Sequence, residues 1–140
     1  MGRGLLVRPC KVKPYQLTDF YISRMLLDDK NSKSKSTHIN HGILKKGGKL
    51  DYGSHPGYDE TYVILKGKCS LKIDGEYMDI QESDIIFIPA DVNHSLDNTQ
   101  GDEDLVLLTI WPCTPPKGIN AAYDRRIEQW GKSYVLTDEE

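Results

Sequence analysis

The sequence predicts an all-β sandwich or barrel, on three observations. Apolar residues come in short runs rich in β-branched and aromatic side chains, broken by Gly, Asp, Asn and Pro. Asp74-Gly75 separates two such runs, 69–73 and 77–80, and this dipeptide supplies the positive φ that a two-residue hairpin turn needs. No segment recurs at a period of about 20–50 residues, which sets aside solenoids and propellers.

Strands of ordinary length are expected at 20–27, 37–44, 61–65, 69–73, 84–88 and 105–111. The segment 28–36, Asp-Asp-Lys-Asn-Ser-Lys-Ser-Lys-Ser, is polar and aperiodic. It reads as an exposed, solvated loop in preference to a lysine lid over an anionic substrate. Gly47-Gly48 and Gly101-Asp102 punctuate the chain as turns. Cys69, Leu71 and Ile73 share one face of their strand and are assigned to the core, as is Trp111 at the end of the last strand. Pro115-Pro116 makes a stiff exit from that strand. One short C-terminal helix follows: Asn120 can cap it, Tyr123, Ile127 and Trp130 fall on one face, and Gly131 can end it. That face is expected to pack on the outside of the sheet.

Composition narrows the function. The 140 residues make one domain's worth of chain, 1–140. With 18 basic and 21 acidic residues the net charge is −3, which disfavours a nucleic-acid partner, because phosphate contacts need a surplus of cations. The longest apolar runs, 85–88 and 105–108, have four residues each, far short of the roughly 20 of a membrane span, so no membrane partner is expected. The first residues, with three apolar side chains in a row, do not read as a signal peptide. Cys10, Cys69 and Cys113 form neither a CxxC pair nor an even set, and a reduced, cytoplasmic compartment is the expectation.

The chemistry-bearing residues are few. Gly53 and His55 lie two apart and share a strand face; so do Glu60, Tyr62 and Ile64 on the next strand. His94 follows a turn begun by Pro89 and leads into another short strand. Two imidazoles and a carboxylate meeting on a barrel wall suit divalent Zn, Mn, Fe, Ni or Co.

Their order and spacing resemble the cupin superfamily. Its first motif runs Gly, five residues, His, one residue, His, three or four residues, Glu, six residues, Gly. Here it reads Gly47, Gly53, His55, Glu60, Gly67, with Gly53 in the place of the first His. The second motif runs Gly, five residues, Pro, one residue, Gly, two residues, His, three residues, Asn. Here it reads Ser83, Pro89, Asp91, His94, Asn98, with both glycines replaced. The resemblance implies a double-stranded β-helix, the small jelly-roll barrel of cupins, with a motif-bearing core of about 37–111 and a C-terminal extension at 114–140. It implies one divalent transition metal (Fe, Mn, Zn or Ni) on His55, Glu60 and His94, with an opening where Gly53 lacks a side chain. Tyr62, inward with Glu60, is open to three roles: metal ligand, acid/base together with Glu60, or filler of the barrel. In resembling oxalate-oxidising cupins an Asn faces the metal from the strand that aligns with 37–44, which puts Asn40 and, by parity, His38 at the substrate. His38 can be a replacement ligand, a substrate contact, or a solvated residue at the barrel mouth. Asn98 is expected to fix a turn, and Asp59 to face solvent.

The implied function is a metal-dependent enzyme on a small polar substrate such as a sugar or organic acid, by non-haem oxygenase or by isomerase or lyase chemistry. The alternative is a non-catalytic module that binds or senses a small ligand. Either is compatible with a homodimer.

Overall fold

A computed structural model describes residues 4–33, 36–54 and 57–112. Among these residues nine strands follow one another: β1 Tyr15–Gln16, β2 Tyr21–Leu27, β3 His38–Leu44, β4 Glu60–Lys66, β5 Lys68–Ile73, β6 Glu76–Gln81, β7 Ile85–Ile88, β8 His94–Asp97 and β9 Leu105–Trp111. They form two antiparallel sheets, one in the order β1-β2-β3-β9-β4-β7 and one in the order β6-β5-β8. Single bridges from Lys49 to Asp97 and from Gly53 to His94 extend the smaller sheet past β8. The chain is all-β, a jelly-roll barrel of the double-stranded β-helix type. The expected C-terminal helix and the rest of the 114–140 extension lie outside the described residues.

Alternation decides what the barrel encloses. In β3 and β9 every second residue is buried, beginning at His38 and Leu105, and in β4 the same alternation buries Glu60, Tyr62 and Ile64. Register stacks these inward residues into layers. Ser23, Gly42, Leu107 and Ile64 lie in one layer; Met25, Asn40, Thr109 and Tyr62 lie in the next; His38 pairs with Trp111 beyond them. One end of the interior is therefore apolar, where Leu44, Leu105 and Leu107 have no exposure and pack with Leu71, Ile80, Ile88 and Leu96 of the facing strands. The other end is polar. Leu71 is fully buried and Cys69 and Ile73 pack partly buried against the same cluster, as their shared face predicts.

The β5–β6 hairpin turns on Asp74 and Gly75, with φ of 48° and 83°, and pairs Ile73 with Glu76. Segment 28–36 departs from the exposed-loop expectation at its start. Asp29–Ser32 forms one helical turn, and Asp28 is buried. Asp28 Oδ1 accepts from Asn31 N (3.0 Å), and Asn31 Oδ1 accepts from Asp28 N (2.9 Å), so the two residues cap each other reciprocally. Lack of apolar periodicity hid this turn, because side-chain caps rather than packing hold it.

The two glycines missing from the second motif are explained by the backbone. Asp84 N donates to Gln81 O (3.0 Å) and Val92 N to Pro89 O (3.3 Å), closing two β-turns. Ser83 and Asp91 sit third in these turns with φ of 78° and 68°. That conformation favours Gly and strains other residues. The substitutions have changed the side chains and kept the path. Ser83→Gly is expected to leave stability unchanged or raise it by up to about 1 kcal/mol, while Ser83→Val should cost about 1–2 kcal/mol. Urea unfolding of the two variants checks the ordering; a Val variant as stable as the Gly variant would contradict it.

Candidate metal and substrate site

The polar end of the barrel is assembled from both sheets. Glu60 opens β4 and His94 opens β8, and their side chains, each more than nine-tenths buried, approach to 3.3 Å between Glu60 Oε1 and His94 Nε2. Neither is loosely held. Trp111 Nε1 donates to Glu60 Oε2 at 2.8 Å from the last residue of β9. His94 Nδ1 lies 2.9 Å from Val92 O, a contact that only an Nδ1–H can make. That bond directs Nε2, the other ring nitrogen, at the carboxylate. Asp59, exposed as expected, accepts from Ala90 N (2.9 Å) and so ties the start of β4 to the turn before His94.

The electrostatics follow from this geometry. Burial alone would depress the imidazolium of His94. The hydrogen bond and charge of Glu60 and the Val92 carbonyl outweigh it, so the His94 pKa is raised above the ordinary 6.5. The donor chemistry fits a divalent cation equally well. With Nδ1 committed to Val92, Nε2 and Oε1 face each other as two lone-pair atoms, and a proton or a metal ion must reconcile them. A separation of 3.3 Å suits two neighbouring ligands with bonds of about 2.1 Å.

The residues singled out in the sequence fall as follows. Glu60 and His94 are brought together. Tyr62 is buried on the same face as Glu60, its ring edge-on to His94 with centroids 6.2 Å apart, and it also belongs to the apolar cluster. Asn40 and His38 both point inward with no exposure, which rules out the solvated reading of His38: its β3 position pairs with Trp111 beneath the barrel wall. His55 lies outside the described residues, and among the described residues no three His, Cys, Asp or Glu side chains gather as a metal set. Gly53 is bonded to His94 in both directions, N to O at 3.1 Å and O to N at 2.8 Å. Among the described residues, a Cβ on Gly53 would meet nothing within 4 Å, which leaves the slot of the absent His open. Asn98 fixes its turn by donating to Leu44 O (3.1 Å) and Glu103 O (3.0 Å). Cys69 offers no nucleophile, since burial pushes its thiol up to about 12.

Sequence reasoning missed Trp111 and Thr109. Trp111 is buried, as assigned, but its indole N–H is part of the site. The available signal was parity: 105, 107, 109 and 111 share a face, and a Trp inside a barrel needs an acceptor for its N–H.

A β-barrel with a carboxylate and an imidazole inside one end defines a class of jelly rolls, and comparison names the family. The cupin domain model matches residues 40–111, and the chain belongs to the cupin family. An uncharacterized protein of Methanocaldococcus jannaschii is 31% identical over 88 residues, covering 63% of this chain and 70% of that one. A crystal structure from Thermotoga maritima, described as a predicted oxalate decarboxylase, superposes with a TM-score of 0.71 at 23% identity, over 78% of this chain and 99% of that one. The oxalate decarboxylase of Bacillus subtilis, a protein with Mn(II) centres, superposes with a TM-score of 0.66 at 23% identity, over 78% of this chain and 30% of its own. At these identities the structural likenesses establish the fold.

The raised His94 pKa has a defined sign. The Glu60–His94 interaction contributes stability that is complete below about pH 6.5 and is lost as the pH rises through the folded-state value. An NMR titration of the His94 ring in metal-free protein is expected to show a midpoint above 6.5 that falls in Glu60→Gln. A midpoint below 6.5 would contradict the assigned contact.

Proposed function

We propose that this cupin is a divalent-metal-dependent enzyme acting on a small polar substrate, with His55, Glu60 and His94 as the protein ligands. The convergence of Glu60 Oε1 and His94 Nε2 carries this reading. His55 is the third donor by its place in the motif, two residues past Gly53, which is itself bridged to His94. The Mn(II) centres of the Bacillus subtilis relative support a metal of this kind. When bound, such an ion supplies Lewis-acid polarisation of a substrate oxygen or, as iron or manganese, redox chemistry.

The chain's own groups do the rest. Trp111 occupies Glu60 Oε2, so Glu60 presents a single oxygen to the centre. Val92 holds His94 in the tautomer that presents Nε2. Tyr62 stands edge-on to the His94 ring and is assigned the proton-handling role at its phenol oxygen. Asn40 and His38 line the same end and are assigned to the substrate. The apolar layers below exclude water from the reacting end. Gly53 leaves one position for substrate that a fourth protein donor would otherwise fill. Two reaction classes fit, oxidation by O2 and isomerase or lyase chemistry. Substrate-dependent O2 uptake by the iron-loaded protein identifies the first; turnover with Mn or Zn and no uptake identifies the second. A non-catalytic ligand-binding role is the second reading, favoured by the donor lost at Gly53; it predicts ligand binding without turnover in any metal form.

Elemental analysis tests the metal assignment. Wild-type protein is expected to retain close to one equivalent of a divalent transition metal, and Glu60→Ala and His94→Ala to lose it with β-sheet circular dichroism preserved. Unchanged metal content in both variants would overturn the site.

The homodimer is proposed on edge strand β7, where Ile85 is 70% and Phe87 57% exposed and no further strand among the described residues pairs with it. Sedimentation equilibrium is expected to give twice the chain mass of 15.9 kDa, and Ile85→Lys to shift it toward monomer. A wild-type monomer at all concentrations would contradict the pairing.

A further inference from the structure

One layer below the Glu60–His94 pair, two buried polar groups sit side by side. Asn40 on β3 and Thr109 on β9 are register partners, 0% and 4% exposed. Asn40 Nδ2 and Thr109 Oγ1 have no hydrogen-bond partner among the described residues. Packing does not explain them. The inward residues that flank Thr109 on β9 are Leu107 and Trp111, and a Val at 109 would fill the same volume with no polar atom to satisfy. Thr109 lies between Asn40 and Tyr62, its register partner on the other side.

The direction of the Asn40 amide is fixed from behind. Ser23 Oγ donates to Asn40 Oδ1 at 2.6 Å, within the buried interior. Ser23 is in register with Gly42, whose missing side chain makes the room: a Cβ there would run into the Tyr21 phenol. With Oδ1 engaged, Nδ2 turns its two hydrogens away from Ser23, on the layer it shares with Thr109. The hydroxyl of Thr109 can donate alongside it.

We propose that Asn40 and Thr109 form a paired-donor subsite for an acceptor oxygen of the ligand, a carboxylate or carbonyl oxygen, and that Ser23 is the positioning residue that sets its polarity. This rests on the reading that the barrel takes a small polar ligand, and it narrows that ligand to a small organic acid or keto compound. A ligand that offers only hydrogens to this pair is rejected, because the Asn40 amide is held with its nitrogen outward.

The test is a titration of Zn2+-loaded and metal-free protein with oxalate, the smallest dicarboxylate, and with guanidinium, a planar ion of similar size that offers only N–H hydrogens. The readout is the side-chain amide resonance of Asn40, assigned by its loss in Asn40→Asp. Oxalate is expected to shift it saturably in wild type and in Thr109→Ser. Thr109→Val and Asn40→Asp, which are close to isosteric, should weaken oxalate by about tenfold or more. Ser23→Ala leaves both contacting groups in place and should lower the preference for oxalate over guanidinium by about fivefold. A merely structural role for Ser23 would lower the affinity for both probes equally, and that result would overturn its assignment. An Asn40 resonance that stays fixed while oxalate binds, or no oxalate binding at all, would overturn the subsite and mean that the two groups serve internal water. Metal content separates this outcome from the parent reading. A shift that persists in protein unable to hold Zn2+ supports the subsite and sinks the metal-dependent function; Zn2+ held without the shift does the reverse.

Discussion

A run of four groups governs the polar end of this barrel: the Val92 carbonyl, the His94 imidazole, the Glu60 carboxylate and the Trp111 indole. It crosses from β8 in one sheet to β4 and β9 in the other. A buried carboxylate is costly unless it is paired and hydrogen-bonded, by several kcal/mol for an uncompensated ion. Here each carboxylate oxygen has a nitrogen at hand. A well-packed apolar pair at 60 and 94 would serve stability as well or better. Stability alone therefore does not account for the polar set, which is what the proposed metal site would explain.

The rest of the barrel is arranged around that set. Strand alternation puts a leucine-rich floor at one end, where Leu44, Leu105 and Leu107 are fully buried. Each step of two residues along β9 then adds polarity, from Leu107 to Thr109 to the indole of Trp111. The same progression occurs on β3, from Gly42 to Asn40 to His38, and on β4, from Ile64 to Tyr62 to Glu60. Three neighbouring strands thus carry one gradient. Folding energy comes from the floor, so polar groups can be kept at the mouth at a cost the floor offsets.

Most of the frame was legible in the sequence because it rests on local rules. Period-two patterns located β2 to β7 and β9 to within a residue or two, and Asp74-Gly75 named its own turn. Glu60 and His94 were legible through the resemblance of their two motifs to the cupin pattern. What escaped was decided across strands. The indole of Trp111 matters through its reach to Glu60, fifty-one residues away, and the sequence shows only an apolar residue ending a strand. Thr109 is visible as a polar atom in a leucine strand only once Asn40 is known to face it. His38 was open to a solvated reading because nothing local says that Trp111 covers it. Ser83 and Asp91 looked like losses from the motif, yet both keep the positive φ of the glycines they replace, since an amino-acid letter reports a side chain and the turn needs a backbone angle.

Anomalous diffraction from a crystal grown with Mn2+ addresses the central claim most directly. The account requires a single peak within about 2.0–2.3 Å of both Glu60 Oε1 and His94 Nε2, with the indole N–H still on Oε2. A peak elsewhere in the barrel, or none while Glu60 and His94 remain in direct contact, would mean that their convergence serves only a proton.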